Sequence, residues 1–368
     1  SEGRPPRQPD DLREVIAMGK LLIAGQWVDG ASSQRLNDKY TGAAYGEMAV
    51  ASPAQVDSAV EGAVRGEARS ALTPYQRFKA LSSAARIVEN RLESLIELMR
   101  HEAGFTRADG DNEVRRCVQT LELSAEEAKR LNGEMVPMQA GDGVKDRIGF
   151  TMRAPRGVVC SITPFNSPLN VLAHKVGPAL AGGNSVVIKP SEFTPLTAVE
   201  LCRALIDAGL PPDLLALVHG DGSVVGRQLL ADQRIAFYAF TGSTRVGREI
   251  QQAAGLRRTQ LELGSIASTI VCHDANVDTA VPKILNAGFR KAGQVCTSVQ
   301  RLFVDGRIAG ECVPKLLAAA QAMKFGDPAD PATVIGPMIS VQHAQRAESW
   351  VAEAVAAGAE VLIGGTRT

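Results

Sequence analysis

A cysteine, Cys296, sits in the stretch "GQVCTSVQR", after a glycine that loosens the backbone and before two hydroxyl residues. Three readings compete for it: core filler, metal ligand or nucleophile. The six cysteines, at 117, 160, 202, 272, 296 and 312, form no Cys-x-x-Cys pair and no Cys/His cluster, so no metal site is expected. Cys160 in "GVVCSI" and Cys202 in "AVELCRAL" fit small buried hydrophobes. Only Cys296 lacks an apolar strand or helix face around it. A thiolate is the side-chain nucleophile best suited to a carbonyl. No histidine is marked as its base, so a cysteine-protease dyad rests on nothing specific.

Other residues could do chemistry with it. Asn166, between the prolines of "TPFNSP", has an amide able to donate to a developing oxyanion, although alone it reads first as a turn residue. Glu262 in "ELGS" ends an otherwise apolar run. Burial there would raise its pKa and make it a base near neutral pH, unless a cation pairs with it. Lys189 and Glu192 in "KPSE" stand three apart at a helix entrance and could each take a ribose hydroxyl, or form a solvated surface pair. Glu192 would repel a 2′-phosphate, which favours NAD over NADP while leaving NADP possible. Gly242 and Ser243 in "TGSTRVG" open a helix whose amides could cradle a pyrophosphate, a weak signal by itself.

All of these residues follow runs that read as strands. From Gly157 the chain alternates "GVVCSI", "NSVVIKP", "DLLALVHG", "IAFYAFTG" and "TQLELG" with four helical segments. That is the pattern of a parallel sheet with helices on both faces, whose ligands sit beyond the strand C-termini. In one of those helices Thr194 is the expected cap, with Pro195 in the first turn. Upstream, Lys20–Gly30 reads as a hairpin start. Three helices follow, over 54–70, 75–104 and 112–133, the last stopped by Gly133. Residues 134–153 carry a Gly-Asp-Gly turn and predict a protruding β-hairpin. After Gly264 a second α/β region begins, and it ends in "EVLIGGTRT", which reads as β.

The fold class is therefore α/β. A Rossmann-like cofactor domain over 20–133 and 154–262 is joined to a second α/β domain over 263–368. Residues 1–19, polar and Pro-rich, read as a disordered leader.

The 368 residues are enough for more than one core, and 45% of them are hydrophobic. Forty basic and forty acidic residues, with a pI near 6.9, argue against a nucleic-acid binder. No apolar run reaches the ~20 residues of a membrane span. Scattered cysteines in a neutral chain suit a reducing cytoplasm.

In this order and at these strand ends, the signals identify a resemblance to the NAD(P)-dependent aldehyde dehydrogenase superfamily. It runs from about Lys20 to the end and is carried by "TPFNSP", "VVIKPSEFTP", "FTGSTRVG", "LELGS", "GQVCTSVQR" and "FGDPADPATVIGPMIS". The resemblance implies that Cys296 is the nucleophile, Glu262 the general base, and Asn166 with the Cys296 N–H the oxyanion hole. It implies NAD held by Thr163, Pro164, Lys189, Glu192, Gly242, Ser243 and Gly264. It also implies an aldehyde tunnel lined by Arg116, Ser167, His174 and Arg290, which would suit a short aldehyde bearing a carboxylate, phosphonate or sulfonate. The family's usual "ELGGK" is "ELGSI" here, so Ser265 narrows the room near the cofactor. Family members continue past Thr368, so a truncated second domain is expected. Hairpin 134–153 would pair subunits of a homodimer or homotetramer. Two alternatives stay open: a CoA-acylating aldehyde dehydrogenase, which would not need Glu262, and an inactive NAD-binding homologue.

Overall fold

The computed structural model describes residues 19–143 and 146–367. The expected leader lies outside the described residues except for Gly19, whose N–H donates to the Glu47 carbonyl at 2.7 Å. The N-terminal strands β1 (Leu21–Ile23) and β2 (Gln26–Val28) form one hairpin, and β3 (Ser32–Asn37) with β4 (Ala44–Val50) forms another.

Four helices follow: α1 (Pro53–Arg69), α2 (Pro74–Asn90), α3 (Leu92–Ala103) and α4 (Arg107–Ala128). Three of them start at reciprocal caps, Ser52 with Gln55, Thr73 with Gln76, and Thr106 with Asp109. Two sequence expectations change here. The helix over 75–104 is two helices, broken at Arg91, whose ψ of 16° leaves the helical region. The last helix starts earlier than expected, at the Thr106 cap, and ends at Ala128 rather than at Gly133. Gly133 serves a close approach instead, since a Cβ there would lie 1.7 Å from the Thr151 carbonyl oxygen. Beyond it, β5 (Met135–Val136) and β6 (Gly149–Phe150) make a short antiparallel pair with exposed apolar side chains.

The central alternation appears as expected. It runs β7 (Val158–Ile162), α5 (Asn170–Ala181), β8 (Ser185–Lys189), α6 (Pro195–Asp207), β9 (Leu215–Leu217), α7 (Arg227–Ala231), β10 (Ile235–Thr241), α8 (Thr244–Ala254) and β11 (Arg258–Glu262). The sheet order is β11-β10-β7-β8-β9-β1-β2, with the first five strands parallel. Its inner strands β7, β8 and β9 carry the apolar runs VVC, VVI and LAL because both faces are covered there. Val186 and Ile188 point into a core with Leu81, Leu121 and Leu172, while Val187 points the other way, toward Val60, Tyr238 and Ile250. Strand order reverses between β7 and β10, which opens a crevice at their C-terminal ends.

Thr194 precedes α6 as expected, but its hydroxyl has no partner. The buried carboxylate of Glu102 takes over the capping, accepting the Leu196 N–H at 2.6 Å and the Thr197 N–H at 2.9 Å.

After Glu262 come β12 (Thr269–Val271), α9 (Val277–Phe289), β13 (Leu302–Val304), α10 (Gly306–Gln321) and α11 (Val341–Ala356). Strands β12 and β13 pair in parallel over a small core of Val271, Val277, Val281, Leu285 and Cys312. The stretch from Glu360 onward, expected as β, forms no strand among the described residues and finds no neighbour to pair with. No helix among the described residues is long and apolar enough to cross a membrane.

Candidate active site

Backbone register sets the strand ends side by side. Ile162 pairs with both Phe240 and Lys189, and Thr241 pairs with Glu262. The Thr163 N–H reaches the Lys189 carbonyl at 3.2 Å, and the Gly242 N–H reaches the Glu262 carbonyl at 3.0 Å. Loops after β7, β10 and β11 therefore open at one edge of the sheet, and the segment after α9 closes over them.

Between them lies a cavity of about 500 Å³. Its lining holds Cys296, Asn166 and all four residues expected on the aldehyde side, Arg116, Ser167, His174 and Arg290. Pro164, Gly242, Ser243 and Gly264 line it as well. Thr163, Lys189, Glu192 and Glu262 lie outside that lining.

Cys296 is exposed. Cys160 is buried, its thiol pushed up to about 12 by desolvation, and burial likewise raises Cys117 and Cys202. One expectation is corrected here, since Cys272 is also exposed. It follows β12, an outer strand of a two-stranded sheet. The Cys296 loop is pinned rather than loose. The Asn166 side-chain amide donates to the Gln294 carbonyl at 2.6 Å, and the Gln294 side chain accepts the Ile339 N–H at 3.0 Å. Behind it, Lys291, Ala292 and Gly293 have φ of 52°, 55° and 72°, three left-handed residues in a row. Only the glycine adopts that region at no steric cost.

Arg290 donates to the Thr297 hydroxyl at 3.2 Å, and its buried Nε has no partner among the described residues. Arg116 is exposed on α4 and makes no ion pair among the described residues. His174 Nε2 lies 3.3 Å from the Thr120 hydroxyl. Partial burial first, then the charges of Arg116 and Lys175, hold the imidazole below its usual range. It is neutral at pH 7. Next to it, Lys175 is buried and pulled down to about 8 by desolvation, which Glu262 partly opposes.

Two expectations about charge are corrected. Glu262 is exposed, because β11 is the edge strand of the sheet and its residues alternate between half-buried and open. The expected burial is absent. Lys189, by contrast, is not a surface lysine. It is only 4% exposed, its ammonium lies 3.4 Å from the Pro190 carbonyl, and desolvation lowers its pKa against the fields of Glu192 and Asp221. Lys189 and Glu192 form no ion pair among the described residues.

The sequence reading missed Glu113 and Lys291. They form a buried ion pair at 3.0 Å against the cavity wall, with side chains 3% and 8% exposed. Glu113 was legible in principle. It shares a helical face with Cys117, Thr120, Leu121 and Ser124, and an acid on such a face must find a partner. Lys291, beside Arg290 in a charged stretch, gave no signal.

A sheet crevice with an exposed cysteine and an opposing amide defines a class of enzyme. The profile of the aldehyde dehydrogenase family matches residues 27–368. The chain belongs to the aldehyde dehydrogenase family. It is 42% identical over 356 residues to the 3-sulfolactaldehyde dehydrogenase of Priestia aryabhattai, covering 97% of this chain and 74% of that protein. The structure of an NAD-dependent aldehyde dehydrogenase from Sinorhizobium meliloti aligns with a TM-score of 0.92 at 32% identity, over 99% of this chain and 73% of that one. The NADP-dependent glyceraldehyde-3-phosphate dehydrogenase of Bacillus halodurans C-125, solved with NADP, aligns with a TM-score of 0.91 at 31% identity, over 95% and 74%.

Proposed function

We propose that this chain oxidises a short aldehyde bearing a sulfonate, phosphonate or carboxylate to the matching acid, with NAD as oxidant. One observation carries the substrate class. Cys296 shares its cavity with Arg116 and Arg290, and neither guanidinium is bound to a carboxylate among the described residues. Asp109 feels the charge of Arg290 but makes no ion pair with it. Guanidinium groups without an acid partner are suited to an anionic ligand. The likeness to a 3-sulfolactaldehyde dehydrogenase supports the sulfonate in particular.

In this reading the Cys296 thiolate attacks the aldehyde carbon, a C–S bond forms, and the carbonyl oxygen becomes an alkoxide. The Asn166 amide has one N–H on Gln294 and a second to offer that oxygen, together with the Cys296 backbone N–H. NAD, when bound, would supply the acceptor for the hydride that the thiohemiacetal carbon loses as its alkoxide becomes the thioester carbonyl. Water then adds to the thioester, Glu262 takes its proton, the C–S bond breaks, and the thiolate returns. The fields that Glu262 exerts on His174 and Lys175 support its place beside the cavity.

The strand ends fit the cofactor. Thr163 has a buried hydroxyl without a partner, and a Cβ on Gly242 would lie 2.5 Å from the Phe240 ring. Thr163, Pro164, Gly242, Ser243 and Gly264 would hold the dinucleotide, with Lys189 and Glu192 at a ribose. Ser243 caps α8, and the other first-turn amides there are of the kind that bind phosphate. Residues 20–133 and 154–262 serve as the cofactor domain and 263–368 as the catalytic domain, in a cytoplasmic enzyme. Exposed Met135, Ile148, Phe150 and Met152 on the hairpin favour a subunit contact. Sedimentation tests that contact: a dimer or tetramer that Phe150→Asp splits is expected, and a parent monomer would overturn it.

The main test is a substrate panel on the full-length protein, with 3-sulfolactaldehyde and succinic semialdehyde against hexanal and benzaldehyde. Arg290→Ala is expected to raise KM for the anionic aldehydes by about 10- to 100-fold, the scale of a lost charge-assisted bond, and to leave benzaldehyde unchanged. Hexanal outperforming every anionic substrate would sink the substrate class, and tighter NADP than NAD binding would sink the cofactor preference. Turnover that needs CoA would favour the acylating alternative.

A further inference from the structure

Both members of the buried pair of Glu113 and Lys291 have further hydrogen-bond partners. Glu113 Oε1 accepts the Ser167 hydroxyl at 2.5 Å and the Asn170 N–H at 2.9 Å, while Oε2 accepts from Lys291 Nζ at 3.0 Å. That ammonium also donates to the Asn166 carbonyl at 2.9 Å. A carboxylate on α4 thus grips the loop after β7 on the C-terminal side of Asn166, and the lysine grips Asn166 itself.

The contacts close into a ring. Lys291 Nζ reaches the Asn166 carbonyl, the Asn166 amide reaches the Gln294 carbonyl, and the Gln294 N–H returns to the Lys291 carbonyl at 3.1 Å. Cys296 lies two residues beyond Gln294. The backbone at Lys291 and Ala292 would not hold its left-handed conformation unaided, so the side-chain contacts must hold it. Two charges taken out of water are retained only where the geometry is this complete. The pair is also neutral as a unit, so it offers nothing to an anionic substrate, unlike Arg116 and Arg290.

We infer that Glu113 and Lys291 are positioning residues, which together fix the distance between the Asn166 amide and the Cys296 thiol. This rests on the reading of Cys296 as nucleophile. The pair stands in the cavity wall, but its charged ends are engaged with one another and with Ser167, Asn170 and Asn166. It sets where the oxyanion donors stand when the C–S bond forms, so it governs turnover rather than capture.

The test compares Glu113→Gln, Lys291→Met, the double variant and Cys296→Ala in the full-length protein. Three quantities are measured: kcat per titratable Cys296 thiol, KM for an anionic aldehyde, and the rate of Cys296 alkylation by iodoacetamide. A merely structural role would lower the number of titratable sites and leave kcat per site alone. Each single variant is expected to lose on the order of a hundredfold in kcat per site, as for a catalytic group displaced by about 1 Å. KM should move little and the alkylation rate should change. The double variant should be no worse than the worse single, because the pair acts as a unit. If Glu113→Gln leaves too little folded protein, the double variant, which buries no lone charge, gives the same comparison. Parent-like kcat and alkylation in Lys291→Met, or losses that simply multiply, would overturn the inference. Turnover surviving in Cys296→Ala would instead overturn the nucleophile.

Discussion

The molecule holds its two halves together in different ways. Around the seven-stranded sheet, two large cores cover both faces, and residues such as Leu22, Leu81, Leu172 and Val187 are fully buried. Around β12 and β13 the core has five buried residues, α11 buries none, and Ile270, Phe303, Val341 and Trp350 are exposed. Cys296, the proposed nucleophile, belongs to the second, thinner region. Its loop takes a bond from its own region, at Ile339, and is tied across the cavity to the first by polar contacts through Asn166 and Glu113. Position at the site is thus set by the sheet half and delivered across the cavity by hydrogen bonds.

Large-to-small substitutions should break this contrast most. Leu172→Ala is expected to cost about 3–5 kcal/mol, because the packed sheet face cannot collapse into the cavity left behind. Leu285→Ala should cost about 2 kcal/mol, since a small core with open neighbours relaxes more easily. Hydrogen exchange of β7 and of β12 reads the two effects separately. Equal losses in both strands would mean that the halves unfold as one unit and that the contrast in packing is thermodynamically silent.

A smaller effect sharpens the comparison through pH. Burial raises Glu102 to about 7 from its usual 4.5, even though Thr197 and the start of α6 donate to it. The folded state therefore holds this proton more tightly than the unfolded chain. The stability this gives is fully present below about pH 4.5 and is lost as pH rises through 7. The change is at most about 3 kcal/mol. Glu102→Gln should remove that part of the pH dependence from β8 and leave the exchange of β12 unaltered. An unchanged profile in β8 would show that the three donors, rather than burial, decide the carboxyl's state.

Much of this was legible in the sequence. The strands β7, β8 and β10 are mostly apolar because both sheet faces are covered, and the polar residues at and after their ends mark the crevice. Cys296, Asn166 and the four residues expected on the aldehyde side line one cavity. What failed did so for physical reasons. Glu262 was expected to be buried at the end of its run, but a sequence does not say which strand is the edge. Thr194 looked like a cap, but a buried acid more than ninety residues upstream took the donors. Glu113 was visible only as an acid on an apolar face. Its partner sits 178 positions away, a separation that no local pattern spans.

Position 291 is asked for two things that no amino acid supplies together. Its backbone, at φ 52°, would be met most cheaply by glycine. Its side chain must be a long cation that reaches a buried carboxylate and a carbonyl at once. Lysine satisfies the second demand and violates the first, at a cost of about 1–3 kcal/mol held next to the Cys296 loop. The choice of residue there records which demand is stronger. The chain accepts a less stable loop in return for one that has a single place to be.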